Sequence, residues 1–166
     1  MYSRLRISRL SEVPVLRDNI NNALKDAMKA RDERRTSTLR LMNAAIKNAD
    51  IEARGAGKEP LNEAELMSLF QKMIKQRQES VELYEKGGRA ELAQQEREEM
   101  EIISSYLPKQ MSDAEAGAAI SAILQEINAQ SMKDMGRAMT ALRERFAGKM
   151  DFGRASARIK ELLSGK

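Results

Sequence analysis

NEAELMSLFQKMIKQRQESVELYEKGGRAELAQQEREEMEIISSYLP, residues 62–108, reads as two helices folded back on each other about a tight turn. At ~100° per residue, Leu66, Phe70, Met73, Ile74, Val81 and Tyr84 fall on one apolar stripe, with Arg77 in its middle. Asn62 followed three residues later by Glu65 is a capping-box start, and the helix so opened runs to Lys86. Gly87 and Gly88 form the turn, a second helix follows from Arg89 to Ser105, and Pro108 closes it. On that helix Leu92, Met100, Ile103 and Tyr106 define the inward face, which also carries Glu96 and Glu99. A pivot between Gly87 and Gly88 sets position 77 opposite position 98, so Arg77 is expected to pair with Glu96 or Glu99. A buried charge without a partner costs several kcal/mol, which makes a structural, register-setting ion pair the favoured reading. The alternative is an arginine held ready for a ligand phosphate or carboxylate. Glu98 and Glu101 read as a solvated acidic face.

Outward from this hairpin the same spacing predicts further helices. One runs from Leu16 to Arg31 and another from Glu33 to Ala53, before Gly55, Gly57 and Pro60 break the pattern. Beyond Pro108, Ser112 with Glu115 repeats the capping-box spacing and opens a helix to Ala129. Ser131 with Asp134 opens the next, to Ala147, and Gly148 ends it. A last helix runs from Asp151 or Phe152 to Leu163. The fold class is therefore all-α. An N-terminal helical bundle domain (16–107) precedes a linker (108–111) and a smaller C-terminal three-helix domain (112–166). Residues 1–15 read as a loosely ordered leader.

Composition agrees, because 42% hydrophobic and 33% charged residues with only 4% aromatics suit helices and sit poorly with a β-sandwich. The chain of 166 residues contains no Cys and no His. Disulfides, thiolate nucleophiles, Cys/His zinc sites and Ser-His-Asp triads are thereby excluded. No catalytic residue, metal site or cofactor is assigned. Absent Cys fits a reducing compartment, no stretch approaches the ~18 apolar residues of a membrane span, and the first residues lack a secretory apolar core. The expectation is a soluble cytoplasmic protein with no membrane partner.

Net charge is +4, but it is unevenly spread. Residues 1–58 hold 13 Lys/Arg against 7 Asp/Glu, residues 59–108 hold 6 against 11, and residues 109–166 hold 10 against 7. A polyanion should meet the ends of the chain rather than its middle. In the second helix Arg40, Asn43, Lys47 and Arg54 form a basic stripe opposite Leu39, Met42, Ile46 and Ala49. It reads as a solubilising face partly neutralised by Asp50, or as a secondary phosphate contact. Near the C-terminus Met135, Ala138, Met139, Leu142 and Phe146 form a core stripe, while Gly136 early in that helix suggests close approach of a backbone or ligand. Arg154 and Arg158, four apart, are a like-charge pair that an anion or Glu161 would relieve. With Lys133, Arg137, Arg143, Arg145 and Lys149 they supply cations enough for RNA.

Several motifs together carry a resemblance. Leu-Arg-Leu-Met and Ala-Ala-Ile-Lys stand in the second helix, Lys-Gln-Arg-Gln-Glu-Ser surrounds Arg77, and Tyr-Leu-Pro-Lys-Gln occupies 106–110. Lys-Asp-Met-Gly-Arg-Ala-Met follows at 133–139, with Gly-Lys at 148–149. From Leu16 to Leu163 the chain resembles the GatB/YqeY family, in its stand-alone form. The resemblance implies two helical domains and kinship with the tail of the B subunit of the amidotransferase acting on Glu-tRNA(Gln) or Asp-tRNA(Asn), a tail associated with tRNA recognition. It implies tRNA contacts at Lys133, Arg137, Lys149, Arg154 and Arg158, with Gly136 and Gly148 shaping the backbone. The expected function is a tRNA-binding or tRNA-amidation accessory protein, non-catalytic alone. Alternatives are a helical protein-interaction module without RNA, or a component of an enzyme with carbon-nitrogen ligase activity using glutamine as amide donor. The implied partners are tRNA and an amidotransferase or other protein.

Overall fold

The structure, a computed structural model, describes residues 15–165. Seven α-helices are present among the described residues: α1 (Val15–Lys29), α2 (Glu33–Gly55), α3 (Glu63–Lys86), α4 (Ala90–Ser104), α5 (Asp113–Glu126), α6 (Met135–Phe146) and α7 (Phe152–Leu163). A single 3-10 turn, Met132–Asp134, leads into α6. The fold is all-α. Of the expected leader, only Val15 lies within the described residues, as the first residue of α1.

Capping chemistry sets most of the helix starts. At α3 the Asn62 side chain accepts from the Glu65 amide at 2.9 Å, while Glu65 accepts from the Asn62 amide. Ser112 and Glu115 do the same for α5. Asp32 caps α2 by accepting from Arg35 N at 3.0 Å. Two helices stop earlier than their apolar pattern predicts. α1 ends at Lys29 because Arg31 turns to φ 56°, and α5 ends at Glu126 because Asn128 turns to φ 52°. Asn tolerates this left-handed conformation through its short polar side chain; Arg31 does so against an ordinary steric preference.

Among the described residues all the buried apolar side chains except Val81 and Ala93 fall in two clusters. The first joins Ile20 and Ala27 of α1, Leu39, Met42 and Ile46 of α2, Leu66, Phe70 and Met73 of α3, and Ile103 of α4. The second joins Ile120 and Ile123 of α5, Ala138, Met139 and Leu142 of α6, Met150, and Ala155 and Ile159 of α7. On α4 the fully buried apolar residue of the first turn is Ala93, while Leu92, expected inward, is only half-buried. The small side chain lets α4 lie close against its neighbours.

Arg77 Nε donates to Glu99 Oε2 at 2.9 Å and Arg77 Nη1 to the Met73 carbonyl at 3.2 Å, so of the two carboxylates facing it Glu99 takes the pair. Glu96 is half-buried beside them, and burial, reinforced by the neighbouring Glu99 charge, pushes its carboxyl above the ordinary range. Glu98 is not simply solvated, since Arg34 Nε reaches its Oε2 at 3.1 Å and ties α2 to α4.

Candidate nucleic-acid interface

The site begins with a turn. Between α6 and α7 the chain passes through Gly148 at φ 74°, where a Cβ would sit 2.5 Å from Met67 Sδ of α3. Neither the left-handed backbone nor the close approach accommodates a side chain, so glycine is required here. The loop that follows is held to residues 108–111. Met111 N donates to the Lys149 carbonyl at 2.8 Å, and Gln110 Nε2 donates to the Gly148 carbonyl at 2.6 Å. Gln71 of α3 donates to Gln110 Oε1 and to the Met150 carbonyl, both at 3.1 Å. Asp151 then caps α7 by accepting from the amides of Gly153 at 2.9 Å and Arg154 at 3.2 Å.

These tethers fix one wall of a cleft of about 460 Å³ between α5 and α7. Its lining includes Gln110, Asp113, Lys149, Arg154 and Arg158, so three of the expected contact residues converge there. Arg154 Nη1 lies 3.3 Å from Asp113 Oδ1, with side chains 71% and 84% exposed. Arg158 Nη1 lies 3.1 Å from Glu161 Oε2 on the same helix, also in the open. Exposed pairs of this kind are worth under about 1 kcal/mol, so an incoming phosphate can replace either carboxylate. Lys149 makes no ion pair among the described residues.

The remaining expected residues do not join the cleft. Lys133, Gly136 and Arg137 stand where the 3-10 turn enters α6 and are absent from its lining. Arg137 Nη2 donates to the Ile127 carbonyl at 2.8 Å and its Nη1 to Asp134 Oδ1 at 3.1 Å, clamping the end of α5 to the start of α6. Asp134 accepts in turn from the amides of Gln130 and Ser131, which with Arg137 hold its carboxyl below the ordinary range. Of the alternatives at Gly136, close approach of another backbone is corrected: the residue is exposed, and a Cβ there would meet no protein atom within 4 Å, because α6 turns this position away from its packed stripe. Arg145 pairs with Glu126, and Arg143 lies exposed on a different groove, whose lining includes Ala53 and Phe152.

Arg40, Lys47 and Arg54 are exposed along α2, while Asn43 Nδ2 donates to Asn21 Oδ1 at 3.2 Å. Asp50, expected to neutralise that stripe in part, is bonded chiefly to Arg17 of α1 and also feels the charge of Arg54. It accepts from Arg17 at 2.7 and 2.9 Å and from Leu61 N at 3.0 Å, and the Arg17 guanidinium first among these holds its carboxyl low. The tethering role of Gln71 and Gln110 was not read from sequence. Gln110 sits in the Tyr-Leu-Pro-Lys-Gln motif, but a glutamine bonding to distant carbonyls leaves no periodic signature.

The description Yqey-like protein matches residues 17–163, nearly the whole chain. The chain belongs to the Yqey-like family. This Yqey-like chain is 39% identical over 111 residues to a Lachancea thermotolerans protein named altered inheritance of mitochondria protein 41, mitochondrial, a match covering 66% of this chain and 58% of the relative. Its namesake in Eremothecium gossypii is 36% identical over 89 residues, covering 54% and 47%. A third, from Saccharomyces cerevisiae strain YJM789, is 36% identical over 84 residues, covering 51% and 44%. The Yqey-like chain thus spans about half the length of the curated relatives it matches. Their names correct the expectation of a cytoplasmic location, since all three are named as mitochondrial proteins. Absent cysteine says only that no disulfide forms, and does not distinguish one compartment from another.

Proposed function

We propose that this Yqey-like protein binds tRNA, as an accessory to translation or to tRNA amidation, with the α5–α7 cleft as its principal contact. The observation that carries the reading is the convergence of Lys149, Arg154 and Arg158 on that one cleft. The loop bearing Lys149 is held by the Met111 and Gln110 hydrogen bonds, so the cations are presented on a braced surface. Phosphate contacts of this kind position a nucleic acid without reading its sequence. Lys133 stands outside the cleft as an outlying contact, Arg137 is committed to its helix clamp, and the α2 stripe of Arg40, Lys47 and Arg54 offers a secondary track.

The test is fluorescence anisotropy of the full chain with bulk tRNA and with duplex DNA of similar length, across a salt series. Preferential tRNA binding near physiological salt is expected. Arg154→Ala with Arg158→Ala should weaken it and lower the salt slope by about 1.5 to 2, since each lost phosphate contact removes nearly one released counterion. An unchanged slope, or equal weak binding of both nucleic acids that vanishes with salt, would overturn the assignment.

A further inference from the structure

A second groove, of about 1060 Å³, lies outside the cleft and shares only its border at Gln110, Asp151 and Arg154. One wall is a face of α3 on which Gln71, Lys75, Gln78 and Glu82 recur at spacings of four, three and four, within ~60° of one another. This face points away from the stripe that buries Leu66, Phe70, Met73 and Val81. The apolar floor comes from Ile74, from Met100 at the edge of α4, from Leu107, and from Phe152 in the first turn of α7. All four are half-buried: Ile74 and Leu107 pack against the first cluster and Phe152 against the second, and each leaves part of its surface to the groove.

Charge along the groove is sorted. The hydrogen bond between Gln71 and Gln110 brings Lys72 and Lys75 of α3 to the same end as Lys109. Glu79 and Glu82 stand at the other end, toward Gly87 and Gly88. None of these five forms an ion pair among the described residues, and Asp151 at the basic end is engaged in capping α7. From Lys72 to Glu82 the helix rises about 15 Å, nearly three turns.

We propose that this groove docks an amphipathic helix of a partner protein, about three turns long. Its apolar face lies on Ile74, Met100, Leu107 and Phe152, its acidic side chains over Lys72, Lys75 and Lys109, and its basic ones over Glu79 and Glu82. Helix-in-groove recognition uses an apolar floor with a charged rim, and Met100 adds an adaptable surface. The observations favour this occupant over RNA, which stacks on aromatic platforms and follows unbroken positive charge. Here a single aromatic lies in the floor, and Glu79 and Glu82 repel phosphate. A second copy fits less well, because the described helices keep most of their apolar stripes in the two clusters, and the exposed Met28, Ile51 and Leu83 stand on three different helices.

The test pans the full chain against a display library of 14-residue helical peptides with fixed apolar positions and randomised Glu/Lys rims, in parallel with the Lys72→Glu/Lys75→Glu variant. Both lysines are exposed, so the variant keeps the fold. The wild type should enrich peptides acidic at one end and basic at the other, binding them about tenfold tighter than the variant does. The variant should enrich peptides with the acidic end reversed, and bound peptides should shift the amide resonances of Ile74, Met100 and Leu107. No enrichment, enrichment without charge preference, or the same peptides from both proteins would overturn the proposal. So would displacement of the peptide by single-stranded RNA that persists in the Arg154→Ala/Arg158→Ala variant, or a dimer in sedimentation that the charge reversal disperses.

Discussion

Arg77 and Glu99 have side chains only 14% and 8% exposed, so neither charge has much water to turn to if its partner is lost. Arg77→Ala should therefore lower stability by about 2 to 3 kcal/mol, read as a fall in the urea midpoint, because buried Glu99 would keep only the weaker contacts of Arg34 Nη1 at 4.0 Å and Gln95 Nε2 at 3.4 Å. Replacing both, as Arg77→Met with Glu99→Leu, should recover most of that loss, since well-packed apolar residues often match a buried pair. Recovery by the double variant separates the desolvation cost from any requirement for the charges themselves. Glu96 next to them works in the opposite sense. Its folded carboxyl is raised by burial and by Glu99, so its contribution is fully favourable below the ordinary carboxylate range and is lost as pH rises through the raised value. Glu96→Gln is expected to raise the melting temperature at pH 7, a gain that shrinks on acidification through the carboxylate range, checked by thermal melts across that range.

At the scale of the helix, start signals were more legible than stop signals. Asn62 with Glu65 and Ser112 with Glu115 could be read directly, because a capping box is a local device complete within four residues. The ends of α1 and α5 could not, since a left-handed Arg31 or Asn128 is chosen by where the next helix must go. The inward face of α4 was blurred for a related reason. Hydrophobicity alone points to Leu92, whereas close packing prefers the smaller Ala93. Gly148 combines both kinds of information, as a stop signal read from sequence and a contact with Met67 that only the tertiary structure supplies. Gly148→Ala should cost about 1 to 3 kcal/mol in thermal unfolding, through the positive φ together with the collision. Adding Met67→Ala, which removes Sδ and Cγ but keeps Cβ at 3.0 Å, should return most of the steric part of that cost and leave the backbone part in place.

For the whole molecule, the two apolar clusters are joined through residues 108–111 and the Gln71, Gln110 and Met67 contacts. A fragment of residues 108–166 is expected to give a helical circular-dichroism spectrum with a cooperative melt, because Ile120, Ile123, Leu142 and Ile159 bury one another rather than α3. A coil spectrum would show that the second cluster needs the first. The candidate site was legible only in part. Lys149, Arg154 and Arg158 can be nominated by charge, but their convergence depends on how α5 and α7 cross, and charge alone does not show that Arg137 bonds the Ile127 carbonyl and Asp134. The groove along α3 has no signature in the sequence, because an exposed face of Lys, Gln and Glu is ordinary solvated surface unless an apolar floor lies beneath it. The bond from Met111 N to the Lys149 carbonyl spans the second cluster from its first residues to the loop before its last helix. Its amide proton can reach solvent only when that loop lifts, so the exchange rate of one hydrogen keeps time for the opening of the surface on which the cations stand.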